Sequence, residues 1–230
     1  MISLAITSYN RFQYTIECFE KVLHDDRIAE VVISDDCSTD NSYDKLCDYF
    51  KDEKKVKLYR NEVNVGCAFN KRIAVLLASN RYVVIFDSDN VIDTSYLDVV
   101  FDYGWDEDII LQPEYLMPNF DFKQYSGLLL DKHNIAEYIG KPHIETALNA
   151  HNFFVNRDNY LMITEGQTDA ITSDSIQFAY QWLAANKSIY ITPNLWYYHR
   201  VHPGSHYQNN VSRTPNGLHE SILQQLKNMK

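Results

Sequence analysis

The stretch Tyr82-Val83-Val84-Ile85-Phe86-Asp87-Ser88-Asp89-Asn90 decides the fold. Five apolar or aromatic residues run without a break, and two carboxylates follow one residue apart. An unbroken apolar run of this length reads as a strand buried on both faces, as in the middle of a parallel sheet. Asp87 and Asp89 cannot be buried unpaired, which puts them at the carboxyl end of that strand. Open α/β sheets bind their ligands at that edge. Two hard oxygen donors at this spacing suit Mg²⁺ or Mn²⁺, which take one or two carboxylates and complete the shell with phosphate and water. Taken alone, the same residues also make a polar turn after a strand.

Outward from this stretch the pattern repeats. Ile2 to Thr7, Ile28 to Ser34 and Val56 to Tyr59 read as three earlier strands. Between them lie three helices: Phe12 to Leu23, Tyr43 to Phe50 and Ala68 to Ala78. Ile16, Phe19, Val22 and Leu23 form one apolar face of the first helix, and Asn41 or Ser42 can cap the second. Strand alternating with helix is the signature of a parallel sheet wrapped by helices. After Asn90 the rhythm changes. Helices are expected at Ser95 to Phe101, Ser175 to Ala185 and Leu218 to Leu226. Short strands are expected at Ile109 to Gln112, Phe153 to Val155, Ser188 to Thr192 and Trp196 to Arg200. Pro113 to Tyr125 reads as irregular. The fold class is α/β in one domain over residues 1–230, with an elaborated second half.

The net charge of -10 argues against a nucleic-acid partner, because no basic surplus is left to neutralise a phosphate backbone. An acidic protein that handles an anion needs a local device, and a divalent cation is one. Cys18, Cys37, Cys47 and Cys67 form no C-x-x-C pair and read as scattered reduced thiols. Met1 to Ile6 opens directly as a strand, and no apolar run approaches the length of a membrane span. These features give the expectation of a soluble, cytoplasmic protein.

Further candidate sites follow from the strand ends. Asp35 and Asp36 come at the end of the second strand and precede the next helix by several residues, too early to be its cap. Acidic residues so placed accept from a base or a ribose hydroxyl in dinucleotide folds. Lys71 and Arg72 fall in the first turns of a helix, where cations oppose the helix dipole. They are tolerated there beside a bound anion or on a solvated face. His199, Arg200, His202 and His206 crowd eight residues: imidazole suits Mn²⁺, and Arg suits phosphate. Asp174 precedes a helix; it could be a general base, but from spacing alone it reads as the N-cap.

Taken together these residues resemble the family 2 glycosyltransferases of the GT-A fold. The carrying motifs are Thr7-Ser8-Tyr9-Asn10-Arg11 and Asp35-Asp36-Cys37-Ser38-Thr39-Asp40-Asn41-Ser42. With them go Asn64-Val65-Gly66 with Lys71, Phe86-Asp87-Ser88-Asp89, and the late Tyr198-His199-Arg200-Val201-His202-Pro203-Gly204-Ser205. The resemblance implies a mostly parallel central sheet flanked by helices. Residues 1–90 would bind a nucleotide sugar and 91–230 an acceptor. It implies transfer from a UDP, GDP or TDP sugar to a carbohydrate or lipid-linked hydroxyl, inverting and dependent on Mn²⁺ or Mg²⁺. The setting would be bacterial polysaccharide or glycoconjugate synthesis, cytoplasmic or at the inner face of the membrane as a peripheral protein.

Residue by residue, the resemblance sets Thr7 and Tyr9 in the base pocket, with Asp36 on the base or ribose and Asp35 beside it. Lys71 stands where the family usually has Arg, near base or phosphates. Asp87 and the adjacent Ser88 fall at the ribose or sugar, and Asp89 at the metal. His202, joined by His199, faces the metal or phosphates, and Asn152-Phe153-Phe154 lies below the acceptor. Asp174 matches the second acid of a Glu-Asp base motif that here reads Ser173-Asp174. That departure leaves Asp169 and Glu165 as alternative bases. It also motivates a second reading, a non-catalytic module that binds nucleotide sugars. Pro113 to Lys141 matches no acceptor pattern.

Overall fold

The computed structural model describes residues 1–150, 152–166, 171–203, 205, 212 and 215–230. The first half forms strands β1 (Ile2–Ser8), β2 (Ile28–Asp35), β3 (Val56–Arg60) and β4 (Tyr82–Asp87). Helices α1 (Phe12–Phe19), α2 (Ser42–Tyr49) and α3 (Cys67–Leu77) connect them. The second half adds α4 (Thr94–Asp102), β5 (Ile109–Met117), β6 (Phe120–Asp121), β7 (Leu129–Leu130) and α5 (Ile144–Leu148). It continues with β8 (Phe154–Asn156), α6 (Arg157–Ile163), α7 (Asp174–Ala184), β9 (Ser188–Tyr198) and α8 (Leu218–Lys227).

All nine strands join one sheet in the order β3-β2-β1-β4-β8-β5-β9-β7, with β6 on β5. β1 to β4 pair parallel throughout, and so do β5 and β9, while β8 runs antiparallel between β4 and β5. Burial follows position in the sheet. Every residue of β1 is buried, whereas the edge strand β3 has no buried residue. A strand covered on both faces must be largely apolar on both, which is why β4 reads as an unbroken apolar run and β1 and β2 are apolar apart from Ser3, Glu30 and their polar carboxyl ends. Two apolar clusters fill the two faces. One holds Ile16, Phe19, Val84, Phe86 and Tyr96; the other holds Val83, Ile85, Phe153, Phe178 and Trp182. The four cysteines are all free.

Three local differences from the expected elements have physical causes. The first helix ends at Phe19 instead of Leu23, although Val22 and Leu23 still bury themselves in turns that follow. Neither expected residue caps α2: Asn41 sits at its N-cap without a cap bond, and Ser42 Oγ accepts from Phe12 N–H at 3.1 Å, serving α1, while Asp40 Oδ1 accepts from Ser42 N–H at 3.0 Å. β5 runs on to Met117, into the segment expected to be irregular, and β9 joins the two strands expected at Ser188 to Thr192 and Trp196 to Arg200 into one that ends at Tyr198. Their register shifts between Pro113 and Tyr115, opposite Thr192 and Trp196, so the prolines fall where ladder bonds are already missing. The buried Glu114 stitches this bulge by accepting from Asn194 N–H at 2.8 Å.

Candidate active site

Parallel pairing brings three strand ends together. Ser8 lies opposite Asp35 in the β1–β2 register, and Thr7 opposite Asp87 in β1–β4. Asp36 N–H donates to the Ser8 carbonyl at 2.8 Å, and Ser88 N–H to the Thr7 carbonyl at 3.2 Å. Thr7 Oγ1 donates to Asp87 Oδ1 at 3.3 Å. Asn10 turns its loop at φ 54°, a left-handed value that Asn tolerates. Its N–H then donates to Ser38 Oγ, and its Oδ1 accepts from Thr39 N–H, both at 2.8 Å. The loops after β1, β2 and β4 thus form one edge, on which Tyr9 stays 41% exposed.

The first acidic pair is engaged by the protein itself. Asp35 is sealed from solvent and accepts from Ser38 N–H at 2.8 Å and Ser38 Oγ at 2.5 Å. Burial pushes its carboxyl up against those two bonds. Asp36 Oδ1 accepts from Val65 N–H at 2.8 Å and Asn61 Nδ2 at 3.0 Å, and Oδ2 accepts from Gly66 N–H at 3.0 Å. Asp36 therefore fixes the loop that starts α3. Gly66 enters that helix at φ 89°, a conformation that favours glycine.

A second group centres on Lys71, which is 3% exposed, so the solvated-face reading does not hold for it. Its ammonium lies 3.2 Å from Asp174 Oδ2 and 3.4 Å from Asp87 Oδ1. Burial alone would depress it, but Asp174 and then Asp87 hold it well above its ordinary value. Asp174 is the first residue of α7, and Ser173 occupies the N-cap without a cap bond. The carboxylate thus serves Lys71, where spacing alone had favoured a cap. Ser173 Oγ meets His219 Nδ1 of α8 at 3.3 Å. Asn152, at φ 81°, accepts through Oδ1 from Asp87 N–H at 2.6 Å and sets the end of β4.

The third group centres on Asp89. Its Oδ2 takes Arg11 Nη1 and His202 Nε2, each at 3.1 Å. α1 guides the segment that delivers His202. Arg200 stacks 4.3 Å above the Tyr14 ring and donates to Glu17 Oε2 at 2.8 Å, and the His202 ring packs edge-on to Tyr14 at 4.9 Å. His199 is held elsewhere: its Nδ1 meets Asn119 Nδ2 at 2.9 Å and its ring packs on Phe120, while burial depresses its pKa. Ser88 Oγ is buried between the two acids and has no hydrogen-bond partner among the described residues.

No group of three or more His, Cys, Asp or Glu side chains converges among the described residues. A carboxylate and an imidazole meeting at one oxygen nevertheless fit a divalent cation that draws its remaining ligands from phosphate and water. Asp89 and His202 are the residues that would hold it.

Of the residues singled out in the sequence, Thr7, Asp35, Asp36, Lys71, Asp87, Ser88, Asp89, Asp174 and His202 gather at this edge through the contacts above, with Tyr9 on its rim. Glu165 is exposed on the turn after α6, and Asp169, Gly204 and His206 lie outside the described residues. Arg11 and Tyr14 were not assigned roles by sequence reasoning. Arg11 directly follows the Thr7-to-Asn10 loop, which was the available signal; Tyr14 left none, because its partners are 186 or more residues along the chain and only the fold brings them near.

The profile described as Glycosyl transferase family 2 matches residues 3–158. The chain belongs to this glycosyltransferase family. Its relatives include the putative teichuronic acid biosynthesis glycosyltransferase TuaG of Bacillus subtilis, 28% identical over 182 residues, covering 77% of this chain and 67% of that protein. Another is glycosyltransferase GlyG of Streptococcus pneumoniae, 29% identical over 110 residues, or 47% of this chain and 36% of GlyG. The putative colanic acid biosynthesis glycosyl transferase WcaA of Escherichia coli is 28% identical over 59% of this chain and 54% of its own. The chain thus spans between about a third and two thirds of the length of these relatives. Among solved structures, S. aureus TarS 1-349 in complex with UDP-GlcNAc superposes with a TM-score of 0.68 at 17% identity, over 90% of this chain and 60% of that one. That likeness establishes the GT-A-type fold of this family member. No described helix is long and apolar enough to cross a membrane.

Proposed function

We propose that this glycosyltransferase moves a sugar from a UDP, GDP or TDP sugar to an acceptor hydroxyl with inversion, and requires Mn²⁺ or Mg²⁺. One observation carries the reading: Lys71 and Asp174, 103 residues apart in sequence, meet at the strand end that also bears Asp87 and Asp89. Donor and base machinery then share one edge.

The nucleotide lies along the ends of β1, β2 and β4. Thr7 and Tyr9 flank the base. Asp36 offers its remaining lone pairs to base or ribose, and Asp35 stiffens the wall behind it. Asp87 faces the ribose or sugar, with Ser88 packed beneath. Arg11 and Lys71 bring positive charge to the diphosphate. A divalent cation held by Asp89 and His202 would supply Lewis-acid neutralisation of the leaving group. Asp174 takes the proton of the acceptor hydroxyl as that oxygen bonds to the anomeric carbon. The carbon–oxygen bond to the diphosphate breaks, and its electron pair leaves with the nucleoside diphosphate.

The names of the relatives support polysaccharide or glycoconjugate synthesis as the setting; the reading adds a carbohydrate or lipid-linked acceptor, met in the cytoplasm or at the inner face of the membrane. The test follows release of UDP, GDP or TDP from matching donors with and without Mn²⁺. Metal-dependent release that Asp89→Ala abolishes supports the reading; release that ignores both metal and Asp89 contradicts it. Ser173 in place of the family's Glu favours one second reading, a module that binds nucleotide sugars without turnover. Tight binding with no turnover across a broad acceptor panel would establish that alternative.

A further inference from the structure

Four titratable groups surround the buried Lys71 ammonium from four elements. They are Asp87 at the end of β4, Asp174 on α7, Tyr160 on α6 and Cys67 on α3 itself. Burial pushes the Cys67 thiol up to about 12 and the Tyr160 phenol well above its ordinary value, so both are neutral. One ammonium is therefore divided between two carboxylates, at 3.2 Å and 3.4 Å.

That division has a chemical consequence. An ammonium at hydrogen-bond distance favours a carboxylate over its protonated form. A paired Asp174 is a poor proton acceptor, and a general base must accept a proton. The other partner, Asp87, stands on the edge where a diphosphate would arrive with further anionic oxygens. Lysine suits such an exchange, because its point charge sits on a flexible stem with three rotatable donors.

We propose that Lys71 is a positioning residue that couples the two parts of the site: it restrains Asp174 while the donor edge is empty, and shifts its charge toward a nucleoside diphosphate bound there, releasing the base. This rests on the donor-and-base reading above. It makes the binding order donor first, acceptor second. Coupling between sites is reciprocal: if the nucleotide loosens the Lys71–Asp174 pair, the Asp174 charge must weaken nucleotide binding.

Calorimetric titration with UDP and Mn²⁺ tests this, with GDP and TDP run in parallel, on wild type, Asp174→Asn, Lys71→Met and the double variant. Asp174→Asn should bind the preferred nucleotide at least about fivefold more tightly, the lower end of typical coupling. The gain should vanish in the Lys71→Met background. No gain in Asp174→Asn overturns the proposal, as does an equal gain without Lys71, which would mean simple repulsion by Asp174. Should the lysine-free proteins fail to fold, the ¹³C resonance of the Asp174 carboxyl in wild type decides. Its titration midpoint should rise when UDP is bound, and an unchanged midpoint overturns the proposal. Failure of all three nucleotides to bind removes the donor reading itself, and turnover surviving in Asp174→Asn removes only its role as base.

Discussion

At the amino-terminal end of the parallel strands, Glu30 is buried inside a closed ring of donors. Its Oε1 accepts from Ser3 Oγ at 2.6 Å and from Ser79 N–H and Oγ at 2.6 and 2.7 Å, while Lys57 pairs with Oε2. Burial pushes this carboxyl up, but the donors outweigh it and hold it at about 2. At the carboxyl-terminal end of the same strands, Asp87 and Asp174 share Lys71, and Asp89 shares one oxygen between Arg11 and His202. One edge satisfies its charge completely and locks the sheet. The other holds acids in excess of fixed cations, with partners that can be exchanged for a ligand. Where both ends of a sheet are polar, function belongs with the charges held in common.

The largest effects should separate the two edges. Asp174→Asn should lower turnover by about 10²- to 10⁴-fold, the range for a general base, while melting near wild type. Glu30→Gln should do the reverse. It loses stability on the order of 3 kcal/mol, set by a carboxyl lowered from 4.5 to about 2, and keeps turnover per folded molecule. Turnover lost in a fully folded Glu30→Gln, or an Asp174→Asn that unfolds, would break the comparison.

Acid sharpens it. The folded Glu30 carboxyl is lowered, so its contribution is complete above about 4.5 and is lost as pH falls toward about 2. Urea denaturation of wild type and Glu30→Gln should therefore converge across that window. A gap that stays constant into acid would show that Glu30 acts through packing and not through charge. The smallest expected effect concerns the segment carrying His202. Tyr14→Ala removes the ring beneath Arg200, a contact worth about 1 kcal/mol, and should weaken Mn²⁺-dependent nucleotide binding roughly fivefold. Tyr14→Phe keeps the ring and should bind like wild type; equal loss in both variants would assign the effect to the hydroxyl.

Much of the functional edge was legible because it depends on local pattern. Apolar runs fixed β1, β2 and β4, acids ended β2 and β4, and parallel pairing of such strands necessarily gathers their carboxyl ends. The less legible features depend on contacts distant in sequence. Pro113 opened a stretch that read as irregular and Thr192 closed an expected strand, yet β5 and β9 run on because Pro113 and Pro193 both fall at one shared register shift. Asp174 read as a cap because spacing carries no sign of a lysine 103 residues earlier. His199 was expected to join His202 at the metal or phosphates, but Asn119 takes the first and Asp89 the second. Asp35 and Asp36 read as ligand contacts, whereas the folded loops also use them to brace Ser38, Asn61, Val65 and Gly66.

The central claim is that the carboxyl-terminal edge holds a nucleoside diphosphate together with a divalent cation. Thermal unfolding with UDP, GDP and TDP, each with and without Mn²⁺, tests it on wild type and Asp89→Ala, since a ligand that binds only the folded state raises Tm. At least one nucleotide should raise the wild-type Tm only when Mn²⁺ is present, and Asp89→Ala should show no such rise. A wild-type Tm unmoved by every nucleotide with Mn²⁺, or a rise of the same size in Asp89→Ala, would contradict the account.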